Sequence, residues 1–442
     1  MSNLRYAKYQ DPNATAIDDP NKVVELTAAE VSSTRALVSG ARKSSMGVQR
    51  LHLSMPLPAA DSTGGVAKTY DVQIPAKRAF RGVRFVLMNL NTAVANYTAM
   101  RCGSAPKHLD SYGDEITWWP DLLTVNGAST FAVPVAKAGA TANHVIPGIA
   151  ITDFVPLAPI ARTDRPSGKP LVRVRARCAS EVQKVYSVGS PYAPDWNAYV
   201  GLDGMVIGSY QATTDFATSA PTDHVYTVIE NGGYIQPTTA IFAYDDPGLQ
   251  VWAFGDSIVQ GNGSSVGASA ANGVLGWPTL VHLQQSRIDC LNMAVTGQKT
   301  VDSLAIMKTM LAATDDLPAY VAIKAYSPND GTPTQSLIDQ QWGRILDACS
   351  YASTKGVHVL LFNCPPVNAW TSGQHALREE INARCTALAA QWDQLTLIDA
   401  ASIVADPANA RQILAAYDYG DGTHYLDAGH QAIADAVVAA LA

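Results

Sequence analysis

The pattern of hydrophobic and polar positions changes near residue 245. After residue 248, continuous apolar runs alternate with longer segments in which apolar residues recur at helical spacing. The apolar runs are LQVWAFG, IDCLNMAV, YVAIKAYS, HVLLFNCPP and LTLIDA. Uninterrupted apolar runs are typical of parallel strands that are covered on both faces. The pattern therefore predicts that residues 248–442 form a flavodoxin-like, doubly wound α/β domain around a parallel sheet of five strands, with any site at the carboxyl ends of the strands.

Residues 46–245 have the pattern of an all-β domain, because short segments rich in apolar residues are separated by Gly, Pro, Asn and Asp. The segments are QRLHLSM, TYDVQIP, GVRFVLMNL, PLVRVRARC, VQKVYSV, HVYTVIE and TAIFAY. In LVRVRAR the side chains alternate strictly, which is typical of a half-buried antiparallel strand. Many such strands predict a β-sandwich or jelly roll. We interpret the arginines Arg173, Arg175 and Arg177 as a solvated outer face, in preference to a site for an acidic glycan.

Residues 1–45 are polar and contain one segment with a helical pattern, TAAEVSSTRALVSGA. A chain of 442 residues is longer than one typical hydrophobic core supports. We therefore predict three parts: a polar N-terminal segment (1–45), a β-sandwich domain (46–245) that binds carbohydrate or shapes the substrate site, and an α/β domain (248–442).

Composition and charge narrow the class of protein. Hydrophobic residues make up 47% and charged residues 16%, which is a globular composition. The formal net charge of -7 disfavours a general nucleic-acid binder, which needs a basic face. The N-terminal residues lack the apolar run of a secretory signal, and no stretch reaches the roughly 18 apolar residues of a membrane span. We expect a soluble protein that is cytoplasmic, or that is secreted or virion-associated by a signal-independent route.

The six cysteines form neither a CxxC pair nor a Cys/His cluster with zinc spacing. We expect buried free thiols, with a disulfide as the open alternative. They are Cys102, Cys178, Cys290, Cys349, Cys364 and Cys385.

Ser257 comes directly after the first strand of the α/β region, in VWAFGDS. A serine hydroxyl is a weak nucleophile until a base accepts its proton. Asp421 and His424 lie three residues apart on a predicted loop just before the last helix. This spacing allows one turn to hold the carboxylate against one imidazole nitrogen and leaves the other nitrogen free for Ser257.

Two further candidates follow strands and could supply hydrogen-bond donors for an oxyanion. Gly297 follows the second strand, where its backbone N–H has no side chain in the way. Asn329 follows the third strand and carries a side-chain amide. The backbone N–H of Ser257 would be a third donor.

These residues lie in four blocks, FGDSIVQG, NMAVTG, SPND and DGTH, and in this order the chain resembles the SGNH or GDSL-type hydrolases over residues 248–442. The resemblance implies a Ser-His-Asp esterase that uses no metal and no organic cofactor. Ser257 would attack an ester carbonyl, with His424 as general base and then general acid and Asp421 orienting it. Gly297, Asn329 and the Ser257 N–H would stabilise the oxyanion.

The chain departs from the family pattern at two positions. Ser327 stands where the third block usually has glycine, and Ile258 replaces the leucine of the GDSL name. Neither change removes a catalytic group, but Ser327 is expected to alter the loop near Asn329.

Other polar residues have simpler interpretations. Ser265 lies in GSSVG, which matches the nucleophile elbow G-x-S-x-G but does not directly follow a strand, so we interpret it as part of a loop that faces the substrate. Asp256 and Asp330 are expected to anchor turns through backbone hydrogen bonds. His430 is expected on the surface or in the packing of the last helix. Structural roles are also expected for His282, His358 and His375.

Aromatic residues of the β region suggest a substrate class. Ordinary packing explains them most simply, and stacking on sugar rings is the alternative. They are Trp118, Trp119, Tyr192, Trp196 and Tyr199. A β-sandwich before an SGNH domain is similar to the arrangement in some carbohydrate acetylesterases, which implies removal of O-acetyl groups from a carbohydrate or polysaccharide. A lipase or acyl-thioesterase is one alternative. A phage-tail or surface glycan-binding protein with a residual hydrolase fold is another.

Overall fold

The structure is a computed structural model that describes residues 68–89, 93–105, 117–140, 145–161, 170–178, 238–265 and 275–442, together with short strand segments elsewhere. The chain divides into two compact units, Met1–Arg42 and Lys43–Ala442. In the first unit, β1 (Tyr6–Ala7) pairs antiparallel with β2 (Val23–Val24). The helix predicted in this region lies outside the described residues.

The second unit contains the remaining elements. Its strands are β3 (Ser44–Arg50), β4 (Lys68–Pro75), β5 (Phe80–Asn89), β6 (Ala95–Ala105), β7 (Thr117–Trp118), β8 (Phe131–Val133), β9 (Lys137–Ala138), β10 (Val145–Ile146), β11 (Gly148–Ile151), β12 (Leu171–Cys178), β13 (Tyr186–Ser187), β14 (Ser209–Ala212), β15 (Tyr234–Ile235), β16 (Thr238–Ala253), β17 (Ile288–Asn292), β18 (Tyr320–Lys324), β19 (His358–Phe362), β20 (Leu395–Ile398), β21 (Ala405–Asp406) and β22 (Asn409–Ile413). Its described helices are α1 (Ser257–Gln260), α2 (Trp277–Gln284), α3 (Thr300–Ala312), α4 (Gln335–Thr354), α5 (Ser372–Ala389), α6 (Ala400–Val404) and α7 (Asp427–Leu441), and a 3-10 turn covers Pro328–Asp330.

The predicted parallel sheet is present. Strands β17, β16, β18, β19 and β20 lie side by side in that order, and each neighbouring pair is parallel. The first strand in the chain lies second in the sheet, which is the strand order of flavodoxin-like folds. The order reverses beside β16, so the loops after β16, β17 and β18 meet at the carboxyl edge where the site was expected.

Helices cover both faces of this sheet because side chains alternate along each strand. On one face, Trp252 and Val321 pack in a core with apolar residues of α3, α4 and α5. On the other face, Val251 and Ala322 pack with residues of α2 and α7. The uninterrupted apolar runs therefore do indicate a doubly wound layer structure.

Strand β16 belongs to both parts of the second unit. Its first half pairs antiparallel with β3 and β5, and its second half pairs parallel with β17 and β18. The boundary proposed from the sequence at residues 245–248 thus lies within one strand. Ion pairs also join the regions: Arg78 lies 2.7 Å from Asp289, Arg84 lies 2.7 Å from Asp316, and Lys77 lies 4.0 Å from Asp289.

The antiparallel region contains a further sheet in the order β14-β4-β12-β6-β7, with β8 paired to β6. The interpretation of the β12 arginines as a solvated face is wrong, since Arg173 and Arg175 are each only 2% exposed. Strand β12 is flanked along its length by β4 and β6, so it is a central strand that is buried on both faces. Strict alternation identified the strand correctly but did not reveal that its polar face is covered.

Several elements differ from the sequence pattern. The long strand β6, the short helix α6 and the hairpin of β21 and β22 were not predicted. The predicted strand HVYTVIE and most of QRLHLSM and VQKVYSV lie outside the described residues. All six cysteines are buried, as predicted.

Candidate active site

Ser257 lies at the sharp turn between β16 and α1, and the residue is 7% exposed. Asp256 caps α1 by accepting a hydrogen bond from the Ile258 N–H at 3.0 Å. The turn is tight, because a Cβ at Gly255 would lie 2.5 Å from the side chain of Val259. Only glycine fits there, which explains the glycine before Asp256 and fixes where Ser257 lies.

Ser257, His424 and Asp421 form one hydrogen-bonded line. The Ser257 Oγ lies 2.8 Å from the His424 Nε2, and the His424 Nδ1 lies 2.6 Å from the Asp421 Oδ2. The other carboxylate oxygen of Asp421 accepts backbone N–H groups of Thr423 and His424, each at 2.9 Å. The short turn predicted from the three-residue spacing therefore holds the carboxylate against the imidazole.

Hydrogen bonding determines the charge state of Asp421. Burial alone would raise the pKa of its carboxyl, but the hydrogen bonds from the His424 ring and from the two backbone N–H groups outweigh burial and lower that pKa. An ionised carboxylate can only accept, so the proton of a neutral His424 ring lies on Nδ1. Nε2 is then free to accept the Ser257 hydroxyl proton.

Asn368, in the loop after β19, holds the segment that carries Asp421 and His424. Its backbone N–H donates to the Gly422 oxygen at 2.9 Å, and its side-chain amide donates to Asp418 at 2.9 Å. Gly422 has a φ of 71°, and a Cβ there would lie 2.7 Å from the Asn368 Cβ. Asn368 therefore fixes the position of the turn from behind, a role that the sequence pattern did not indicate.

Gly297 and Asn329 lie in the loops that follow β17 and β18, beside the Ser257 turn. The chain after β17 runs along that turn, with the Val295 N–H donating to the Gly255 oxygen at 3.0 Å. Gly297 has a φ of 77°, in the left-handed region that favours glycine. The Asn329 amide donates one hydrogen to a backbone oxygen of the Gly297 loop at 3.2 Å, and its second hydrogen has no acceptor among the described residues.

A buried ion pair lies directly beneath the Ser257 turn. The Lys324 Nζ lies 2.9 and 2.7 Å from the two carboxylate oxygens of Asp256, and the two side chains are 6% and 1% exposed. The Ser327 hydroxyl also donates to Asp256, and the Ser327 Oγ accepts the Asn329 N–H at 3.2 Å. Burial would raise the pKa of Asp256, but Lys324, Ser327 and the capped N–H outweigh burial and lower that pKa.

This network links the nucleophile turn to the Asn329 loop, and it gives Ser327 a function. The glycine of the family pattern could not donate to Asp256. The sequence signal for the ion pair was a lysine inside the apolar strand YVAIKAYS, but its partner could not be identified from spacing.

Asp330 anchors its turn as predicted. Its carboxylate accepts the Ser327 N–H at 2.9 Å, and it also accepts the Thr300 N–H at 3.0 Å and the Thr300 hydroxyl at 2.6 Å. Burial raises the pKa of this carboxyl above its ordinary value. Asp330 thereby ties the Asn329 loop to the start of α3.

Ser265 is not part of the hydrogen-bonded line of Ser257, His424 and Asp421. Its hydroxyl and its backbone N–H both bond to Asp427 at the start of α7, and none of the histidines in the described part of the chain forms a hydrogen bond with it. The contact with Asp427 fastens the loop that follows α1.

The remaining candidate histidines are packing residues. His430 is fully buried on α7, where its Nε2 lies 3.4 Å from the Asn262 oxygen, and burial lowers its pKa to about 4. It is therefore not a surface histidine. His282 accepts a backbone N–H, His358 contacts Thr396, and the His375 ring packs against Trp370.

The aromatic candidates of the β region are only partly described. Trp119 is half-buried and packs against the hydrophobic core, in agreement with the packing interpretation. Trp118 belongs to β7, and only its backbone is described. Tyr192, Trp196 and Tyr199 lie outside the described residues.

Within the described ranges, no group of three or more His, Cys, Asp or Glu side chains could hold a metal ion. No helix in the same ranges is both long enough and apolar enough to cross a membrane.

Among the solved structures to which the chain is similar are a lipolytic protein of the G-D-S-L family from Veillonella parvula, an acetyl xylan esterase, and a GDSL-like lipase from Bacteroides thetaiotaomicron. The sequence identities are 18%, 20% and 17%, and the TM-scores are 0.37, 0.34 and 0.33. The matches cover 43%, 44% and 43% of this chain and 97%, 100% and 87% of the other chains. No curated protein matched the chain.

Residues 253–432 match the model of the GDSL-like lipase/acylhydrolase family. This range begins in β16 and ends in α7, so it includes Ser257, Gly297, Asn329 and the Asp421 turn. Residues 253–432 therefore form a GDSL-like lipase/acylhydrolase domain, the domain of a carboxylic ester hydrolase.

Proposed function

We propose that the protein is a serine esterase in which Ser257, His424 and Asp421 act as the catalytic triad. The observation that carries this proposal is the continuous hydrogen-bonded line from the Ser257 hydroxyl through the His424 ring to the Asp421 carboxylate. In this line a nucleophile, a base and an orienting carboxylate each have the partner that acyl transfer requires.

The reaction proceeds through an acyl-enzyme. Ser257 Oγ attacks the ester carbonyl as its proton passes to His424 Nε2, and the resulting imidazolium is stabilised by Asp421. His424 then protonates the departing alkoxy oxygen, which leaves the acyl group on Ser257. Water attacks the acyl-enzyme with His424 again as base, which releases the acid and restores the serine.

The oxyanion formed in both steps needs donors that are already in place. We propose the Ser257 N–H, the Gly297 N–H and the second amide hydrogen of Asn329. Because Ser327 and Asp330 fix the Asn329 loop, this donor does not have to be ordered during the reaction.

Replacement of Asn329 by alanine is expected to lower the turnover number by about two to three orders of magnitude, the typical cost of one oxyanion donor. The substrate would be 4-nitrophenyl acetate, and the unfolding midpoint in urea would show whether the fold is intact. Asn329→Asp, which keeps the size but loses the donor, should be equally impaired. Wild-type turnover in a folded Asn329→Ala variant would exclude Asn329 from the oxyanion site.

For the substrate we propose O-acetyl groups on a carbohydrate or polysaccharide. The order of the two regions supports this class, because it is similar to the arrangement in some carbohydrate acetylesterases. We propose residues 248–442 as the hydrolase domain and residues 46–245 as a β-sandwich that shapes its substrate site. The ion pairs of Arg78 and Arg84 and the shared strand β16 hold the two regions together.

The experiment is acetate release from a panel of acetylated glycans, with Ser257→Ala as the blank. We expect release from at least one glycan, and faster hydrolysis of 4-nitrophenyl acetate than of 4-nitrophenyl octanoate. Preference for the octanoate would favour a lipase or acyl-thioesterase. Wild-type protein as inert as Ser257→Ala on every ester would favour a glycan-binding structural protein with a residual hydrolase fold, such as a phage-tail component.

A further inference from the structure

The segment from Tyr417 to Leu426 is a short antiparallel hairpin that carries His424. Asp418 and Tyr425 form its antiparallel pair, and the Leu426 N–H donates to the Tyr417 oxygen at 2.8 Å. The Tyr419 N–H donates to the His424 oxygen at 3.0 Å. Residues that face each other across such a pair place their side chains on the same face. Tyr419 therefore shares a face with His424, and Asp418 and Tyr425 share the opposite face.

The two faces differ in exposure at the end of the hairpin that carries Tyr419, whereas Tyr417, which faces Leu426, is half-buried against the core. On the inner face, Tyr425 is fully buried and Asp418 accepts the Asn368 amide. On the outer face, Tyr419 is 39% exposed. Leu426, two residues after His424 and so on the same face, is 38% exposed. Two apolar side chains in contact with solvent thus flank the imidazole that contacts Ser257.

Such exposure is uncommon among the residues whose side chains are described. Within the part of the chain that the structure describes, the exposed large hydrophobic residues are Val94, Val135, Phe154, Tyr419 and Leu426. The first three belong to the antiparallel region, and the last two lie beside His424. Exposed apolar side chains that cluster at a reactive group are typical of a ligand site.

Tyr419 also borders the loop that follows the nucleophile. A Cβ at Gly263 would lie 3.1 Å from the Tyr419 Cβ and 2.4 Å from the Tyr425 oxygen, and Gly263 has a φ of 93°. The bonds from Ser265 to Asp427 hold this loop against the hairpin. Tyr419 therefore pairs with His424 through its backbone and borders the loop after α1 through its Cβ.

The direction of proton transfer from His424 determines which half of the ester lies beside Tyr419. His424 must protonate the alkoxy oxygen, so the alcohol half departs on the side of the imidazole. The carbonyl oxygen points instead to the Gly297 and Asn329 loops. We propose that Tyr419 and Leu426 form the subsite for the alcohol half of the ester, and that this subsite takes an alcohol with a flat apolar ring face, such as a pyranose. This inference rests on the proposed esterase function and extends it to the leaving group.

The test compares cyclohexyl acetate with ethyl acetate, which share the acetyl group and differ in the alcohol, a ring in the first and a short open chain in the second. Tyr419→Ala is expected to raise the KM for cyclohexyl acetate about fivefold to tenfold, since it removes the stacking ring, and to change the KM for ethyl acetate less than about twofold. Tyr419→Phe keeps the ring and should remain within about twofold of wild type for both esters. Acid release would be followed in a pH-stat.

Phe154→Ala is the matched control, because Phe154 is also 39% exposed but lies in the antiparallel region. It should leave both KM values unchanged. Three results would contradict the proposed subsite: an equal rise in KM for both esters in Tyr419→Ala, no rise in KM for either ester, or the same rise for cyclohexyl acetate in Phe154→Ala.

A third substrate separates this inference from the proposed carbohydrate specificity. If the wild type hydrolyses cyclohexyl acetate with a KM that depends on Tyr419 but does not deacetylate methyl tri-O-acetyl-xylopyranoside, the alcohol subsite stands and the xylose ester is excluded as a substrate. If the wild type hydrolyses no ester at all, the esterase function and the subsite both fail.

Discussion

Replacement of Ser257 by alanine is expected to lower the turnover number for 4-nitrophenyl acetate by about four to six orders of magnitude, the range found when a triad nucleophile is removed. The hydroxyl is the atom that forms the acyl-enzyme, and its partner His424 has no other nucleophile in hydrogen-bonding contact among the described residues. The residual rate would come from the oxyanion donors acting on water. Initial rates with protein purified from a host lacking its own major esterases give the measurement.

Ser265→Ala is the matched control, since it makes the same substitution in the neighbouring loop, at the serine of the G-x-S-x-G match. Ser265 bonds to Asp427 and not to a histidine, so its removal should leave the turnover number nearly unchanged. A large loss of turnover in Ser265→Ala, with activity retained in Ser257→Ala, would show that the nucleophile is Ser265 and not Ser257.

Replacement of Lys324 by methionine is expected to lower the free energy of unfolding by about 3–5 kcal/mol, because it leaves the Asp256 carboxylate buried without its cation. The partners are 6% and 1% exposed, so solvent cannot replace the lost interaction. The turnover number should fall as well, since Asp256 precedes Ser257 and contacts Ser327. Unfolding in urea, followed by tryptophan fluorescence, measures the stability.

Lys308→Met provides the comparison for this substitution. Lys308 pairs with Asp347 on the surface, with side chains 30% and 62% exposed. Exposed ion pairs contribute about 0–1 kcal/mol, so this variant should unfold close to wild type. Equal, small losses in the two variants would show that the Asp256–Lys324 pair is not needed for stability.

The fold and the candidate site of the α/β region could be predicted from the sequence because both depend on local patterns. Continuous apolar runs indicate buried parallel strands, and Ser257, Gly297 and Asn329 each directly follow such a run. Since the carboxyl ends of parallel strands meet at one edge, their proximity follows from the topology alone. The three-residue spacing of Asp421 and His424 likewise predicts, without any tertiary information, that one turn brings the carboxylate to the imidazole.

Features that depend on tertiary pairing could not be predicted. The apolar strand β18 contains Lys324, but nothing in the sequence identifies Asp256 as its partner, because the pair forms only when β16 and β18 become neighbours. The alternation of apolar and polar residues in β12 predicts a strand, but it does not show that the arginine face of that strand is covered. Asn368 and Tyr419 gain their positions from the hairpin that bears His424, which sequence periodicity does not reveal.

The most direct test of the triad is reaction with a fluorophosphonate, which labels an activated serine covalently, followed by mass spectrometry of the labelled peptide. The geometry predicts a single adduct on Ser257, formed rapidly in wild type and lost in His424→Ala. An adduct on Ser265 or another serine, or labelling of Ser257 that does not depend on His424, would contradict the assignment of Ser257 as the nucleophile activated by His424.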